Sequence, residues 1–146
     1  MKIYTIGFTQ KKAKTFFNLL INNYVETLID IRLNNKSQLA GFTKESDLKY
    51  FLKNLCNKNY FYADILAPTQ NILNDYKQKK ITWEDYYKLY NNLLDNRDLF
   101  GIIEIIKQYN SICLLCSEPT YEHCHRSICA EYIKNNYFSE SSIIHI

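Results

Sequence analysis

Two rhythms of apolar residues alternate along this chain. Short segments dominated by apolar residues occur at Lys2–Ile6 (KIYTI), Val25–Ile31 (VETLIDI), Tyr60–Tyr62, Ser111–Leu115 (SICLL) and Ser142–Ile146. Between them, apolar residues return every three or four positions. Phe16, Leu19 and Leu20 do so within Lys11–Asn23, and Leu48, Phe51, Leu52 and Leu55 within Thr43–Asn57. Trp83, Tyr86, Tyr87, Tyr90, Leu93 and Leu94 repeat the pattern after Thr82. The first rhythm predicts strands and the second predicts amphipathic helices. Further helices are expected over Leu99–Gln108 and from about Tyr121 to Asn136. Thr9 and Thr43 are candidate N-caps. Thr82 and Asp85 make an approximate capping box, with Ile81 placed to staple onto Tyr86. Leu33–Phe42 reads as a polar loop, and Ala63–Lys80 as irregular or weakly helical.

Strands that alternate with helices, several of them nearly all apolar, imply a parallel sheet covered on both faces. The expected fold is therefore a single α/β domain over residues 1–146, three layers deep, with a mostly parallel sheet of about five strands. Right-handed crossovers place the carboxyl ends of all strands along one edge. Gly7, Asp30, Arg32, Cys116, Glu118 and His145 lie at or just after predicted strand ends, so this topology gathers them from distant parts of the sequence.

The densest chemistry lies in Ser111–Glu131 (SICLLCSEPTYEHCHRSICAE). An apolar strand ends in Cys116 and Glu118, Pro119 follows, and a helix is expected to open around His123, Cys124, His125 and Arg126. Helix N-terminal amides point into the crevice beyond a strand's carboxyl end, where anions bind. Cys124 beside two histidines and an arginine is either an activated nucleophile or a partly buried structural thiol. Arg126 opposes the helix macrodipole, which fits either an internal ion pair with Glu118, Glu122 or Asp30, or a bound anion. Glu118 is a candidate general acid or base, or else orients His125 or Arg126. Asp30 and Arg32 face the same side and suit either a site or a mutual salt bridge. Gly7 allows close approach of a ligand to the backbone, or is a plain turn glycine. His145 is either a site residue or a satisfied histidine.

Zinc is disfavoured. Cys113 and Cys116 are spaced as a metal pair, but residues three apart in a strand point to opposite faces. Cys113 and Cys129 read as core. Neither GxGxxG nor GxxxxGK[ST] follows Gly7, so neither standard phosphate loop is present and no cofactor is implied. The five cysteines, four of them clustered in one stretch, do not form a secreted disulfide framework. No apolar run approaches the ~20 residues that span a bilayer, and no signal peptide is indicated, so a cytoplasmic protein without a membrane partner is expected. The net charge of +3 is mild. Lysines at 44, 49, 53 and 58 and at 77, 79 and 80 read as a solvated helix face and a basic loop, or as a surface that steers a polyanion.

Several of these stretches resemble the domain of unknown function 488 family. Tyr4-Thr5-Ile6-Gly7-Phe8-Thr9 matches its Y-T-I-G-H-S-like start, with Phe8 in place of the histidine. Leu28-Ile29-Asp30-Ile31-Arg32 matches its L-[VI]-D-[VI]-R strand, and Ser37 and Phe42 match its polar loop. Leu114-Leu115-Cys116-Ser117-Glu118 and Cys124-His125-Arg126 match L-L-C-x-E-x5-C-H-R, and Ile143–Ile146 approximates its closing V-x-H-I. Ile65-Leu66-Ala67-Pro68 stands where the family often shows L-G-G. The resemblance implies an α/β fold and marks Asp30, Arg32, Cys116, Glu118, Cys124, His125 and Arg126, and brings no reaction with it. The functional expectation is an enzyme acting on a small phosphate-bearing or other anionic substrate, such as a nucleotide or nucleic acid. Arg32, Arg126 and the amides near Tyr121–Cys124 would hold the anion, Glu118, Asp30 or His125 would move protons, and Cys124 would be the nucleophile. The alternatives are an anion- or nucleic-acid-binding module without turnover, and a thiol redox or metal protein using Cys116, Cys124 and His125.

Overall fold

The computed structural model describes residues 1–146. Five strands, β1 (Lys2–Gly7), β2 (Thr27–Asp30), β3 (Asn59–Tyr62), β4 (Ser111–Cys116) and β5 (Ser142–His145), form one sheet in the order β3-β2-β4-β1-β5. Every pairing is parallel. Six helices cover it: α1 (Ala13–Asn22), α2 (Glu45–Leu55), α3 (Gln70–Lys77), α4 (Trp83–Asp95), α5 (Phe100–Ile106) and α6 (His125–Tyr137). All six residues of β4 are buried, which explains its apolar run: a central parallel strand touches helices on both faces.

The core divides as strand alternation requires. Ile112 and Leu114 of β4 join a cluster with Tyr86, Tyr90 and Leu94 of α4, residues of α5, and Ile128, Cys129 and Ile133 of α6. Cys113 and Leu115 join the opposite cluster with Phe16 and Leu20 of α1 and Leu48 and Leu52 of α2. The chain leaves β1 toward the α1 face and leaves β4 toward the α6 face, although these strands are neighbours. Their carboxyl ends, where Gly7 is the register partner of Cys116, flank the switch point at which α/β sheets open a crevice.

Local signals held where side chains were free to act. Thr82 and Asp85 complete a reciprocal capping box at the start of α4. Thr43 does not cap α2. Its hydroxyl donates to the Ala40 carbonyl at 2.8 Å and accepts from Arg32, so Lys44 takes the cap position without a side-chain bond. Thr9 likewise stands outside α1, which starts after Lys12. The segment expected to be irregular or weakly helical contains α3, capped by the Thr69 hydroxyl on the Ile72 amide. Arg97 donates to the Ile65 and Ala67 carbonyls, tying the turn before α3 to α4's end. Gly41, in the 3-10 segment Gln38–Thr43, has φ 55° and ψ −129°, a conformation that only glycine adopts readily. No helix is long and apolar enough to cross a membrane.

Candidate functional site

α6 begins at His125, four residues later than its sequence pattern predicts. His123, with φ 53°, turns the chain sharply, and its ring packs 5.0 Å from Trp83 of α4. Cys124 is consequently the N-cap, with extended backbone, rather than a residue of the first turn. The Cys124 amide donates to the Tyr121 carbonyl, so it is not free to hold an anion.

That turn brings Cys124 Sγ to 3.1 Å from Cys116 Sγ at the end of β4. Arg126 Nη1 donates to Cys116 Sγ at 2.8 Å and to the Glu118 carbonyl at 2.6 Å. The guanidinium is 2% exposed and no carboxylate lies within ion-pair distance of it. Its Nε is buried without a partner. A buried cation must be compensated, and here the only acidic groups against it are the two thiols. Burial pushes the Cys116 thiol up. The hydrogen bond from Cys124 and the Arg126 charge outweigh that, and the thiol is held below its ordinary range. Cys124 moves the opposite way, because it donates to Cys116 and is itself buried. When the pair gives up one proton, the charge is therefore centred on Cys116 and the remaining proton stays on Cys124.

Gly7 makes this arrangement sterically feasible. A Cβ there would stand 1.7 Å from the Glu118 carbonyl oxygen and 2.6 Å from Arg126 Nη1. The close approach that this glycine permits is therefore that of the protein's own loop and guanidinium. A ligand does not take that space.

Asp30 and Arg32 form a second network on the opposite face. Leu28, two residues before Asp30, packs in the α1–α2 cluster, whereas Leu114, two before Cys116, packs in the α4–α6 cluster. Asp30 is fully buried and accepts from Arg32 Nε at 2.8 Å, Arg32 Nη2 at 2.6 Å, the Arg32 amide, Asn35 and the Tyr60 hydroxyl. Arg32 also donates to the Thr43 hydroxyl and carbonyl, and its guanidinium lies 5.3 Å over the Phe8 ring. Four of its five N–H donors are thus spent internally. Asp30, saturated by donors, is an anchor for the loop after β2.

The two networks meet at a cavity of about 430 Å³. Of the residues expected at the site, Arg32, Glu118, Cys124 and His125 line it, joined by Gln70, Tyr76 and Lys77 of α3 and Tyr86 of α4. The Glu118 side chain is exposed, and only its backbone carbonyl engages Arg126. His125 is 9% exposed, and its Nε2 is buried with no partner. Burial, helped by the Arg126 charge and opposed by the Ile31 backbone, holds this imidazole down to about 4, so it is neutral near pH 7. Cys116 and Arg126 are buried and do not line the cavity. Gly7, Asp30, Ser37 and His145 are also outside the lining. Ser37 accepts from the Leu39 amide and caps the 3-10 segment. His145 stacks on Tyr121 at 3.8 Å and shares a 2.7 Å hydrogen bond with Thr5. No group of three or more His, Cys, Asp or Glu residues is arranged to hold a metal ion.

Asn35 and Tyr60 escape sequence reasoning because each is an ordinary loop or strand residue until Asp30 and Arg32 are buried beside it, and Thr43 reads as a helix cap until the buried arginine claims its hydroxyl. The contribution of α3 is hidden for a similar reason: a helix of eight residues carries too few apolar repeats to announce itself.

The family model described as domain of unknown function DUF488 matches residues 12–133. The chain belongs to this family. The match takes in Asp30–Arg32 and the whole Cys116–Arg126 stretch, and it excludes the Gly7 and His145 segments. No curated protein and no solved structure matches the chain.

Proposed function

We propose that this member of the family is a cysteine-dependent enzyme acting on a small anionic substrate, with Cys124 as nucleophile and Cys116 as its base. The observation that carries the reading is Arg126: a buried guanidinium without a carboxylate, balanced by a sulfur that touches a second sulfur 3.1 Å away. A nucleophile within hydrogen-bond reach of a base, itself oriented by a third group, is the general arrangement of covalent catalysis. Cys124 lines the cavity and Cys116 does not. Attack by Cys124 on an electrophilic centre would pass its proton to Cys116, where Arg126 already stabilises the charged sulfur. Lys77 on the cavity wall and the remaining N–H of Arg32 supply positive charge for a phosphate or carboxylate on the substrate. Neutral His125 offers a hydrogen bond to a polar group that enters. A nucleotide satisfies these requirements as well as a smaller phosphate ester does.

Alkylation with iodoacetamide at graded pH, read by mass spectrometry of each cysteine, tests this. Cys124 is expected to react below about pH 7.5 because Cys116 takes its proton as the cavity-facing sulfur attacks, and Arg126→Gln, which weakens that acceptor, should slow it by roughly tenfold or more. Cys113 and Cys129, both buried and pushed up by burial, should stay inert in the native protein. Reaction confined to Cys56, with Cys124 silent until about pH 8.5, the range of an ordinary thiol, would overturn the reading.

A further inference from the structure

Two sulfurs 3.1 Å apart, one of them held by a buried guanidinium, are equipped for electron transfer as well as for nucleophilic attack. We propose that Cys116 and Cys124 form a redox-active dithiol that reduces small hydroperoxides by cycling through a Cys116–Cys124 disulfide. The proposal rests on Cys124 being the cavity-facing nucleophile, and it extends that reading to a specific electrophile.

The geometry supports closure. A disulfide needs the sulfurs at about 2.05 Å, so they must approach by roughly 1 Å from their 3.1 Å separation. Cys124 stands before α6 in extended backbone, at the end of the loop from Ser117 to His123, so closure moves a loop and leaves the helix intact. The other three cysteines have no such partner. Cys113 faces the α1–α2 cluster, Cys129 is enclosed by the α4–α6 cluster, and Cys56 is half-buried at the end of α2.

The chemistry balances as follows. The Cys124 proton moves to Cys116, and the Cys124 thiolate attacks the terminal oxygen of the hydroperoxide. An S–O bond forms, the O–O bond breaks, and the departing alkoxide takes the proton from Cys116. The products are an alcohol, a Cys124 sulfenic acid and a regenerated Cys116 thiolate. Cys116 then attacks Cys124 Sγ, the S–S bond forms, and the S–O bond breaks. The hydroxide leaves as water with a proton from solvent. Each sulfur gives up one electron, and the peroxide gains two. A low-molecular-weight thiol of the glutathione class then reduces the disulfide by attack on Cys124, the sulfur at the cavity wall.

Arg126 determines how readily the disulfide is reduced. The dithiol form holds the negative charge that compensates the buried guanidinium, whereas the disulfide is neutral and leaves it only the Glu118 carbonyl. The reduced form is therefore selectively stabilised, which makes a disulfide oxidising and short-lived in the presence of thiols.

The test treats the wild-type protein with one equivalent of hydrogen peroxide and maps its cysteines by mass spectrometry. The expected result is loss of two thiols, joined as Cys116–Cys124, with Cys56, Cys113 and Cys129 still reduced. In Cys116→Ser, which lacks both the base and the resolving thiol, Cys124 should be oxidised more slowly than in wild type, and its product should stay a sulfenic acid, labelled by dimedone. Equilibration against glutathione should show Arg126→Gln shifted at least tenfold toward the disulfide, with Arg126→Lys restored most of the way to wild type. If Arg126→Gln does not fold, the wild-type mapping still decides the proposal. Oxidation of Cys56 ahead of the pair overturns it. So does the absence of a Cys116–Cys124 disulfide when iodoacetamide still finds Cys124 below about pH 7.5, and in that case the nucleophile reading survives. A Cys124 silent to iodoacetamide removes both.

Discussion

Arg126 shows how one side chain sets the chemistry of its neighbours. A guanidinium keeps its charge at any accessible pH, so burying it forces some other group to supply the opposite charge. Sulfur is the acidic group within reach here, and the usual order of events, in which a thiol seeks activation, is reversed: the cation draws charge onto a thiol. His125, the next residue toward the N-terminus, solves the same burial problem by losing its proton. Its imidazole is held down to about 4 in the folded protein against 6.5 in the unfolded chain. Between these values the unfolded state binds more protons, so this contribution to stability is complete above about pH 6.5 and is lost as pH falls toward 4. The loss at pH 4 is on the order of 3 kcal/mol, from 1.36 kcal/mol for each unit. Urea denaturation at pH 7 and pH 4.5 should show His125→Gln losing less stability across that interval than wild type. Equal losses would mean that another group carries the dependence.

At the scale of elements, the candidate site is a contact between the end of one strand and the entry to one helix. β1 and β4 run side by side and the chain leaves them toward opposite faces, so the loop from Ser117 to Cys124 folds back over the end of β1. That is possible because Gly7 presents no side chain to it. In Gly7→Ala the new methyl stands 1.7 Å from a backbone carbonyl oxygen and 2.6 Å from a buried guanidinium, so the loop after β4 must shift. Overpacking of this kind costs typically 1–3 kcal/mol, and a backbone obstacle puts the expected value near about 3 kcal/mol. Because the displaced groups are Glu118 and Arg126, the variant should also lose the low-pH alkylation of Cys124. A folded Gly7→Ala protein with unchanged stability and unchanged thiol reactivity would contradict the packing described.

On the scale of the whole molecule, the sheet separates two buried charge systems that share an edge. Asp30 and Arg32 hold the loop after β2 against β3 and the 3-10 segment before α2, while Cys116, Cys124 and Arg126 hold the loop after β4 against α6. Removing one partner of a buried ion pair costs about 3–5 kcal/mol, so Asp30→Asn should destabilise the fold by roughly 3 kcal/mol. It should leave the alkylation rate of Cys124 within about twofold of wild type, as for sites without shared partners. A large fall in that rate, measured where the variant is still folded, would show that the two systems are coupled through the cavity.

The sequence by itself determined the parallel α/β sheet, because a strand buried on both faces must be apolar throughout and a helix buried on one face must repeat its apolar residues. It also marked the strand ends where the charged residues stand. It determined the capping box of α4, whose partners lie three residues apart. Tertiary structure alone decided which of those residues meet. Strand alternation sent Asp30 and Cys116 to opposite faces, Thr43 was drawn from its cap by a buried arginine, and the short α3 was recruited to the cavity wall. The thiolate pair was decided in the same way. Local sequence puts Cys124 near a helix start, but only folding brings it against Cys116 and buries Arg126 out of reach of every carboxylate, and electrostatic compensation in a dry interior then assigns the charge to sulfur.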